Sequence, residues 1–410
     1  MRTKRMREQF DIAVVGGGIV GATLAHALAD SGCRIALLEA RTHVGAGADD
    51  ERSAALAFTS RRIMRTLGLW EDIAESAAPI KTVHVSQQGF FGAVRLHHHE
   101  HGVDALGHVV ANRVIESALY ERVATQQRLS LYAPVELQTV EPGEQLTKLR
   151  FMLEGEACNV DARLLVAADG ATSSIRRLLG IGVSRADYAQ SAVIANVSMA
   201  RHHNNVAYER FTSHGPLALL PLPGRRCALV WTRTPADAAM LAALPDDLFL
   251  QALQTEFGHR AGRFAGVGTR RVYPLSLLRA ARVTGSRAVF VGNAAQTLHP
   301  VAGQGLNLAL RNIAGLAELV AAAARDDIDI AAPSLLLQYE SMTRPDVDRA
   351  VCFTDGLARM FTHPLLPFAH ARSAGLVVTD VIGPLRRTVA RRNMGLGARL
   401  PRLACGLPLL

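Results

Sequence analysis

The sequence is short of cysteine, lysine and large aromatic residues, and each shortage narrows what it can be. Its 410 residues hold five cysteines, Cys33, Cys158, Cys227, Cys352 and Cys405, far apart and without a C-x-x-C pair. That pattern excludes a zinc ribbon, a redox-active dithiol and a disulfide scaffold, and it suits a reducing cytoplasm. Lysine occurs only as Lys4, Lys81 and Lys148 among 45 basic residues, the rest being scattered arginines. So strong a skew reflects genomic codon bias more simply than phosphate contacts. With two Trp and six Tyr to stack on bases, the formal charge of +9 does not indicate nucleic acid. No apolar run reaches the roughly 18 residues of a membrane span; even the stretch from Ile313 to Ala324 contains Glu318. The basic N-terminus, MRTKRMREQF, enters a strand directly and lacks a small-residue cleavage site, so no secretory signal is expected.

What is present is ample apolar material, 49% of residues against 20% charged, enough for two or three domains with a sizeable core. No internal repeat or low-complexity segment interrupts it. FDIAVV (10–15) is a short apolar run ending in glycines, which predicts a buried strand. An apolar helical stretch through Leu24, Ala25, Ala27 and Leu28 stops at Ser31-Gly32, and RIALLEA (34–40) is a second buried strand. Together they form a βαβ unit, the opening of a doubly wound parallel sheet. A loop rich in Gly, Ala and Asp follows (43–51), then helical stretches at 59–77 and 112–126. ARLLVAADG (162–170) is another buried strand ending in Asp-Gly. Alternating strands over 191–235, such as SAVIANVSM, LALLPL and RCALVWT, predict an inserted antiparallel sheet. SRAVFVGNAA (286–295) returns to the buried-strand pattern, and a long helix is expected from about Gln304 to Arg325.

Gly16, Gly18 and Gly21 form G-x-G-x-x-G between strand and helix. The first glycine permits the tight turn, the second lets backbone approach a pyrophosphate, and the third allows close helix–sheet packing. Glu39 ends the next strand, 18 residues after Gly21. A carboxylate there accepts hydrogen bonds from an adenosine ribose and repels a 2′-phosphate, which suits FAD or NAD. No second such motif exists for a nicotinamide cofactor. Instead Gly292-Asn293-Ala294-Ala295 follows a buried strand, and His299-Pro300 with Gly303-Gln304-Gly305-Leu306-Asn307 opens a helix. Asn293 offers a polar group for ribityl hydroxyls, and the helix N-terminus would face the pyrimidine end of a flavin, where charge develops on reduction.

GGGIVG, ADG at 168–170 and GNAAQTLHPVAGQGLN at 292–307 resemble, in order, the three signatures of class A flavoprotein monooxygenases, the p-hydroxybenzoate hydroxylase fold. TVHVS (82–86), AVIANV (192–197) and ERFTSHGPLALLPL (209–222) extend the likeness to the ubiquinone-biosynthesis hydroxylases, nearest the 2-polyprenyl-6-methoxyphenol hydroxylase branch; it covers roughly residues 10–365. The wider family usually has Gly-Asp where this chain has Gly292-Asn293, and often His at the place of Gln296. Asn keeps a carbonyl acceptor but loses the charge. The GNAAQTLHP form looks like that branch; otherwise it would mean weaker flavin retention.

The resemblance implies an α/β, p-hydroxybenzoate hydroxylase-like fold: a Rossmann-type FAD domain (8–80, 112–182 and 284–330), an inserted antiparallel-sheet substrate domain (81–111 and 183–283), and a helical C-terminal region with a basic tail (331–410). It makes Arg52 an arginine near the flavin and Arg113 one that contacts the cofactor's phosphates; the lesser reading of each, among so many arginines, is a surface charge. Asp169 resembles the residue linking FAD and nicotinamide binding, or else is a turn former at a strand end. His214 and Pro216 sit where the family's sheet covers the flavin, His214 serving either the substrate pocket or packing. No metal is expected: the His97–His101 run is a polar stretch without a second ligand cluster, read as a solvated loop.

The expected activity is FAD- and NAD(P)H-dependent aromatic hydroxylation with dioxygen, through a flavin hydroperoxide, turning 2-polyprenyl-6-methoxyphenol into 2-polyprenyl-6-methoxy-1,4-benzoquinol. No acid–base dyad is expected. Alternatives are hydroxylation at another ring carbon of a ubiquinone precursor, reduction of prenyl double bonds, or a non-catalytic FAD-binding scaffold for other ubiquinone-biosynthesis proteins. From Arg386 to Arg402 the tail holds six arginines and no acidic residue. It reads as an anionic-membrane contact or a disordered end, giving a cytoplasmic protein peripheral at the inner face of the cytoplasmic membrane.

Overall fold

The apolar run at the N-terminus becomes a strand, β1 (Arg7–Val15), in which Ile12, Ala13 and Val14 are fully buried. The computed structural model describes residues 7–42, 51–362, 366–397 and 399–409. Helix α1 (Ile19–Ala27) buries Leu24 and Ala25 against the sheet and leads through a short turn to Gly32, whose left-handed conformation ends it. Strand β2 (Ile35–Leu38), all buried, lies parallel to β1 on one side; β3 (Glu156–Ala167) lies parallel on the other. Leu129–Tyr132 and Ala288–Phe290 extend the sheet, and an antiparallel hairpin (Val135–Pro142, Thr147–Leu153) grows from β3. Strands covered on both faces are continuously apolar, which is why they were readable as runs.

Register brings the sequence motifs together. Val15 pairs with both Leu38 and Ala167, Ala167 pairs with Phe290, and Leu38 pairs with Tyr132. The strands therefore end in one row, and Gly16–Gly18, Glu39, Ala168–Gly170 and Gly292-Asn293 all leave the same carboxyl edge. Ligands of open α/β sheets bind at that edge.

The second sheet has nine strands, running from Gln296–Thr297 through Arg271–Ala280, Val183–Met199, Arg226–Arg233 and Gly215–Leu222 to β4 (Val206–Thr212), Thr82–Gln87 and Ala93–His97, with Phe264–Val267 beside Val183–Met199. It is antiparallel except that β4 runs parallel to Thr82–Gln87, a pairing the expected antiparallel insertion did not include. Strand alternation gives it two faces. Leu217, Leu219 and Trp231 pack under Phe249 and Phe257 of a covering helix, while Pro216, Ala218 and Leu220 face a cavity.

The C-terminal third is helical: α2 (Gln304–Arg325), α3 (Pro333–Thr362), α4 (Leu366–Val381) and α5 (Gly383–Asn393). The segment Val301–Arg325 is long and apolar enough to cross a membrane by length and composition, contrary to the reading of the sequence, but 78% of its most apolar window is buried in the core. It is a core helix. The stretch 59–77 is broken at Gly68, in left-handed conformation, into Phe58–Thr66, Trp70–Ile73 and a turn at Ala74–Ser76. Over its described residues the basic tail packs on the fold: Ala390, Met394, Leu403 and Ala404 are buried. His97 closes a strand and His98–His101 form a single turn, with His97 bonded to Thr82 and His98 to the Val103 carbonyl. Among the described residues no group of three His, Cys, Asp or Glu side chains is placed to hold a metal. All of the loop 43–51 except Glu51 lies outside the described residues.

Candidate active site

The glycine turn is fixed from both sides. The Gly17 N–H donates to Glu39 Oε2 at 2.6 Å, and the Tyr120 hydroxyl donates to the Gly17 carbonyl at 2.6 Å. Glu39 Oε1 accepts from the Arg41 backbone N–H at 2.8 Å and from Arg41 Nε at 3.0 Å, and Arg41 reaches Glu116 at 3.2 Å. The three motif glycines differ. Gly16 has φ +104°, and a Cβ there would strike the Ala168 carbonyl; a Cβ on Gly21 would strike the Gly16 carbonyl oxygen. A Cβ on Gly18 meets nothing within 4 Å and projects into open space at the start of α1, which carries no side-chain cap. That is a cradle for an anion: free N–H groups, a helix N-terminus and room for close approach.

From this edge a cavity of about 1140 Å³ runs between the two sheets. Asn293, Pro300 and the whole segment Gly303–Asn307 line it, as do Arg52 and Pro216. At the start of α2 the backbone makes a tight turn, with Ala302 and Gly303 both left-handed at φ 60° and 59°, and no side chain caps the helix. Gly305 has open space where a side chain would be. Arg52 lies over the Tyr273 ring, 5.8 Å from its centroid. Asp169 accepts from the Ser174 and Ile175 N–H groups at 2.7 and 3.1 Å through Oδ2, while its buried Oδ1 has no partner among the described residues. Two uncapped helix starts, the open positions at Gly18 and Gly305 and that orphaned oxygen fit a dinucleotide, whose pyrophosphate and ring the two helix starts would hold.

Three expected residues play other parts. Asn307 is fully engaged within the protein: its carbonyl accepts from Ala57 N–H and Ser60 Oγ, both at 2.7 Å, and its amide donates to the Ala55 and Gly303 carbonyls at 2.8 and 2.7 Å. It fixes the wall, leaving only its backbone for a cofactor. His214 is exposed in the hairpin turn between β4 and Gly215–Leu222 and does not line the cavity, because that turn lies beyond the sheet face. Arg113 is exposed in the first turn of Asn112–Ala124, where Asn112 and Glu116 line the cavity and Arg113 does not.

The structure adds residues without a local sequence signal. Buried Arg176 donates to the Ala294 and Ala171 carbonyls, both at 2.8 Å, tying the ADG loop to the GNAA loop. His299 is fully buried, which holds its pKa down to about 4. Its Nδ1 accepts from the Val301 N–H at 3.2 Å, so the proton of the neutral ring is on Nε2, toward Gln190. Glu209 of β4 stands among apolar residues in the cavity wall. Burial pushes its carboxyl up to about 7, against a hydrogen bond from the Ala302 backbone that lowers it. Beyond these groups the cavity continues as an apolar channel between the second sheet and α3–α5, past Val85, Leu357, Met360, Gly375, Leu376 and Met394.

A family model described as an FAD binding domain matches residues 9–354. The chain is 37% identical to the ubiquinone hydroxylase UbiL of Rhodospirillum rubrum, over 97% of this chain and 93% of that protein. It is 29% identical to the 3-demethoxyubiquinol 3-hydroxylase of Escherichia coli, over 94% and 98%, and 27% identical to the human mitochondrial ubiquinone biosynthesis monooxygenase COQ6, over 93% and 91%. Among solved structures it is similar in fold to the p-nitrophenol 4-monooxygenase PnpA of Pseudomonas putida (TM-score 0.80, 16% identity, 96% and 99% of the two chains). It is similar also to PqsL of Pseudomonas aeruginosa in complex with 2-aminobenzoylacetate (TM-score 0.74, 22% identity, 90% and 99%).

Proposed function

The chain belongs to the FAD-binding monooxygenases of the ubiquinone hydroxylase family, and on that footing we propose that it hydroxylates a 2-polyprenyl-6-methoxyphenol para to its hydroxyl, giving the 2-polyprenyl-6-methoxy-1,4-benzoquinol. The observation that carries the substrate class is the continuity of the cavity. Its end at the α2 N-terminus offers backbone donors and a buried carboxyl, and the rest is an apolar channel suited to a prenyl chain. A polar head joined to a long hydrocarbon tail is the ligand such a shape accepts.

Bound FAD would accept hydride from NAD(P)H and activate dioxygen for transfer of one oxygen atom to the ring. The chain's own residues bind, orient and exclude water. Gly18 and the α1 N-terminus would hold the pyrophosphate, and Glu39 would accept from the ribose. The uncapped N–H groups at Gly305 and Leu306, which line the cavity, would hold the ring end where negative charge develops. Phe211, Leu220 and Val230 close the sheet side with apolar surface, which keeps water from the reacting atoms.

The reading also places the protein at a membrane surface, since a polyprenyl substrate resides in a bilayer. Exposed Phe353, Met360, Phe368, Val381 and Leu385 lie on α3–α5, the helices that wall the channel, with Ile382 exposed in the link between α4 and α5 and Arg387, Arg391 and Arg392 exposed on α5. Apolar anchors with arginines beside them suit an anionic leaflet at the cytoplasmic face.

The test is product mass spectrometry from the purified holoenzyme with NAD(P)H and a short-chain 2-prenyl-6-methoxyphenol under heavy dioxygen. One heavy oxygen in a 1,4-benzoquinol supports the assignment. One heavy oxygen at another carbon supports the second reading, favoured by the similarity to a hydroxylase whose name assigns it to position 3. NAD(P)H consumed with only hydrogen peroxide formed would discard this substrate.

A further inference from the structure

Glu209 is in the wrong surroundings for a structural carboxylate. It sits in the middle of β4 with Val85 opposite it on one neighbouring strand and Ala218 on the other. Residues of the same strand face, Ala207 and Phe211, are apolar and line the same cavity. Among the described residues, the backbone N–H of Ala302 is the group whose hydrogen bonding eases the ionisation of Glu209. That donor belongs to the left-handed turn opening α2, so the carboxyl stands where the substrate sheet meets the cofactor-facing loop. An alanine held at φ 60° costs about 1–2 kcal/mol, a strain of the kind that collects at functional sites.

The charged groups of the neighbouring elements are turned elsewhere. His84 of Thr82–Gln87 bonds to Arg260 at 2.7 Å, and Arg210 of β4 lies near Arg260 and Glu256 on the opposite face of the sheet. The strand Gly215–Leu222 carries no titratable side chain. Tyr208 packs on Phe257. From α3, Asp355 and Arg359 pair at 2.9 Å while Leu357 packs with Val85, Phe211 and Val301. His299, at the base of the turn, is neutral. Two cations line the same cavity, Arg52 over the Tyr273 ring and Arg372, which donates to the Met360 carbonyl at 2.6 Å. Among the described residues none offsets the desolvation of Glu209, and its elevated acidity constant, near 7, allows it to exchange a proton at neutral pH.

Taking the proposed phenol substrate as premise, we propose that Glu209 is a catalytic residue, the base that accepts the phenolic proton as the ring is oxygenated. The phenolic O–H bond breaks, its electron pair stays on the ring oxygen, and the proton passes to a Glu209 carboxylate oxygen. The oxygen lone pair then makes the ring carbon para to it nucleophilic toward the incoming oxygen, which arrives as an electrophilic hydroxyl and leaves its former bonding pair on the oxidant, giving a hydroxylated dienone. When that carbon loses its hydrogen as a proton to water and the ring regains aromaticity, Glu209 returns its proton to the original oxygen. The carboxylate is restored and the quinol leaves with both hydroxyls.

The experiment measures single-turnover oxygenation of 2-prenyl-6-methoxyphenol by pre-reduced holoenzyme from pH 6 to 10, for wild type and Glu209→Gln. Gln can still accept from Ala302, so the turn is preserved. In wild type the rate constant should reach its plateau just above pH 7. In the variant it should be about 10²-fold lower at pH 7 and keep climbing toward the phenol's own ionisation near pH ~10. A fluorinated phenol of lower pKa should recover most of the lost rate, which no merely structural defect would permit. An infrared titration of the oxidised holoenzyme gives a second readout: a protonated-carboxyl band that titrates near pH 7 in wild type and is missing from the variant. A variant with the wild-type pH profile, or wild type without a titrating band, overturns the proposal. If the variant releases FAD, the wild-type band decides alone. Should wild type fail to hydroxylate any prenylphenol, the substrate reading falls, an outcome distinct from equal turnover by both proteins.

Discussion

Gly18 and Gly21 belong to one motif, yet they answer to different physics. Gly21 has the Gly16 carbonyl against it, so Gly21→Ala must displace backbone and should destabilise the fold by several kcal/mol. Gly18 has only cavity beyond its Cα, so Gly18→Val should fold with little change in melting temperature while FAD affinity drops at least tenfold. Thermal melts beside flavin absorbance of the purified proteins separate the two. Glu209 carries a cost that reports its burial. Its folded-state pKa lies above the ordinary 4.5, so the folded protein holds the proton more tightly than the unfolded chain. Stability is therefore unaffected below pH 4.5 and declines as pH rises toward 7, by an upper bound of about 3 kcal/mol. Glu209→Gln should accordingly be more resistant to urea than wild type at pH 8 and equal to it at pH 5; a constant difference at both pH values would contradict the assignment. Neither the Glu209 environment nor the full engagement of Asn307 is visible in sequence, because both depend on partners from distant segments: Ala302 for one, Ala55, Ala57 and Ser60 for the other.

At the scale of elements, the C-terminal helices define what the active site admits. Gly375 of α4 lines the channel and has nothing within 4 Å of the position its Cβ would take. Gly375→Leu improves helix propensity and puts a branched side chain into the prenyl path. Turnover of a long-chain prenylphenol should fall at least tenfold, with a one-prenyl substrate nearly unaffected; equal loss for both would place the tail elsewhere. Helix α2 was expected from about Gln304 to Arg325, where it is found, but its role as core was not legible. Apolar on nearly every side, it meets the compositional test for a membrane span and is instead surrounded by α1, α3 and the Phe58–Thr66 helix. The stretch 59–77, expected to be helical, is interrupted at Gly68, where left-handed backbone breaks it.

For the whole molecule, the exposed apolar residues of α3–α5 and the arginines of α5 form the surface expected to meet lipid. The protein should sediment with vesicles rich in phosphatidylglycerol more than with phosphatidylcholine alone, and salt should weaken the association. Changing Arg387, Arg391 and Arg392 together to Glu should reduce it at least tenfold and leave turnover of a detergent-soluble short-chain phenol unchanged. Binding indifferent to lipid charge and to these changes would remove the arginines from the contact.

The sequence by itself determined the Rossmann unit, the dinucleotide cradle and the family. Glycines forced by backbone crowding and strands buried on both faces leave marks that short segments carry alone. Tertiary structure decided the rest: which strand ends share one edge, that Asn307 is a brace, that His214 faces out, and that Glu209 faces in. Those outcomes follow from register and from alternation across a sheet whose strands come from residues 82 to 297. A carboxyl's acidity and a channel's length are set by neighbours in space, and no local pattern records them.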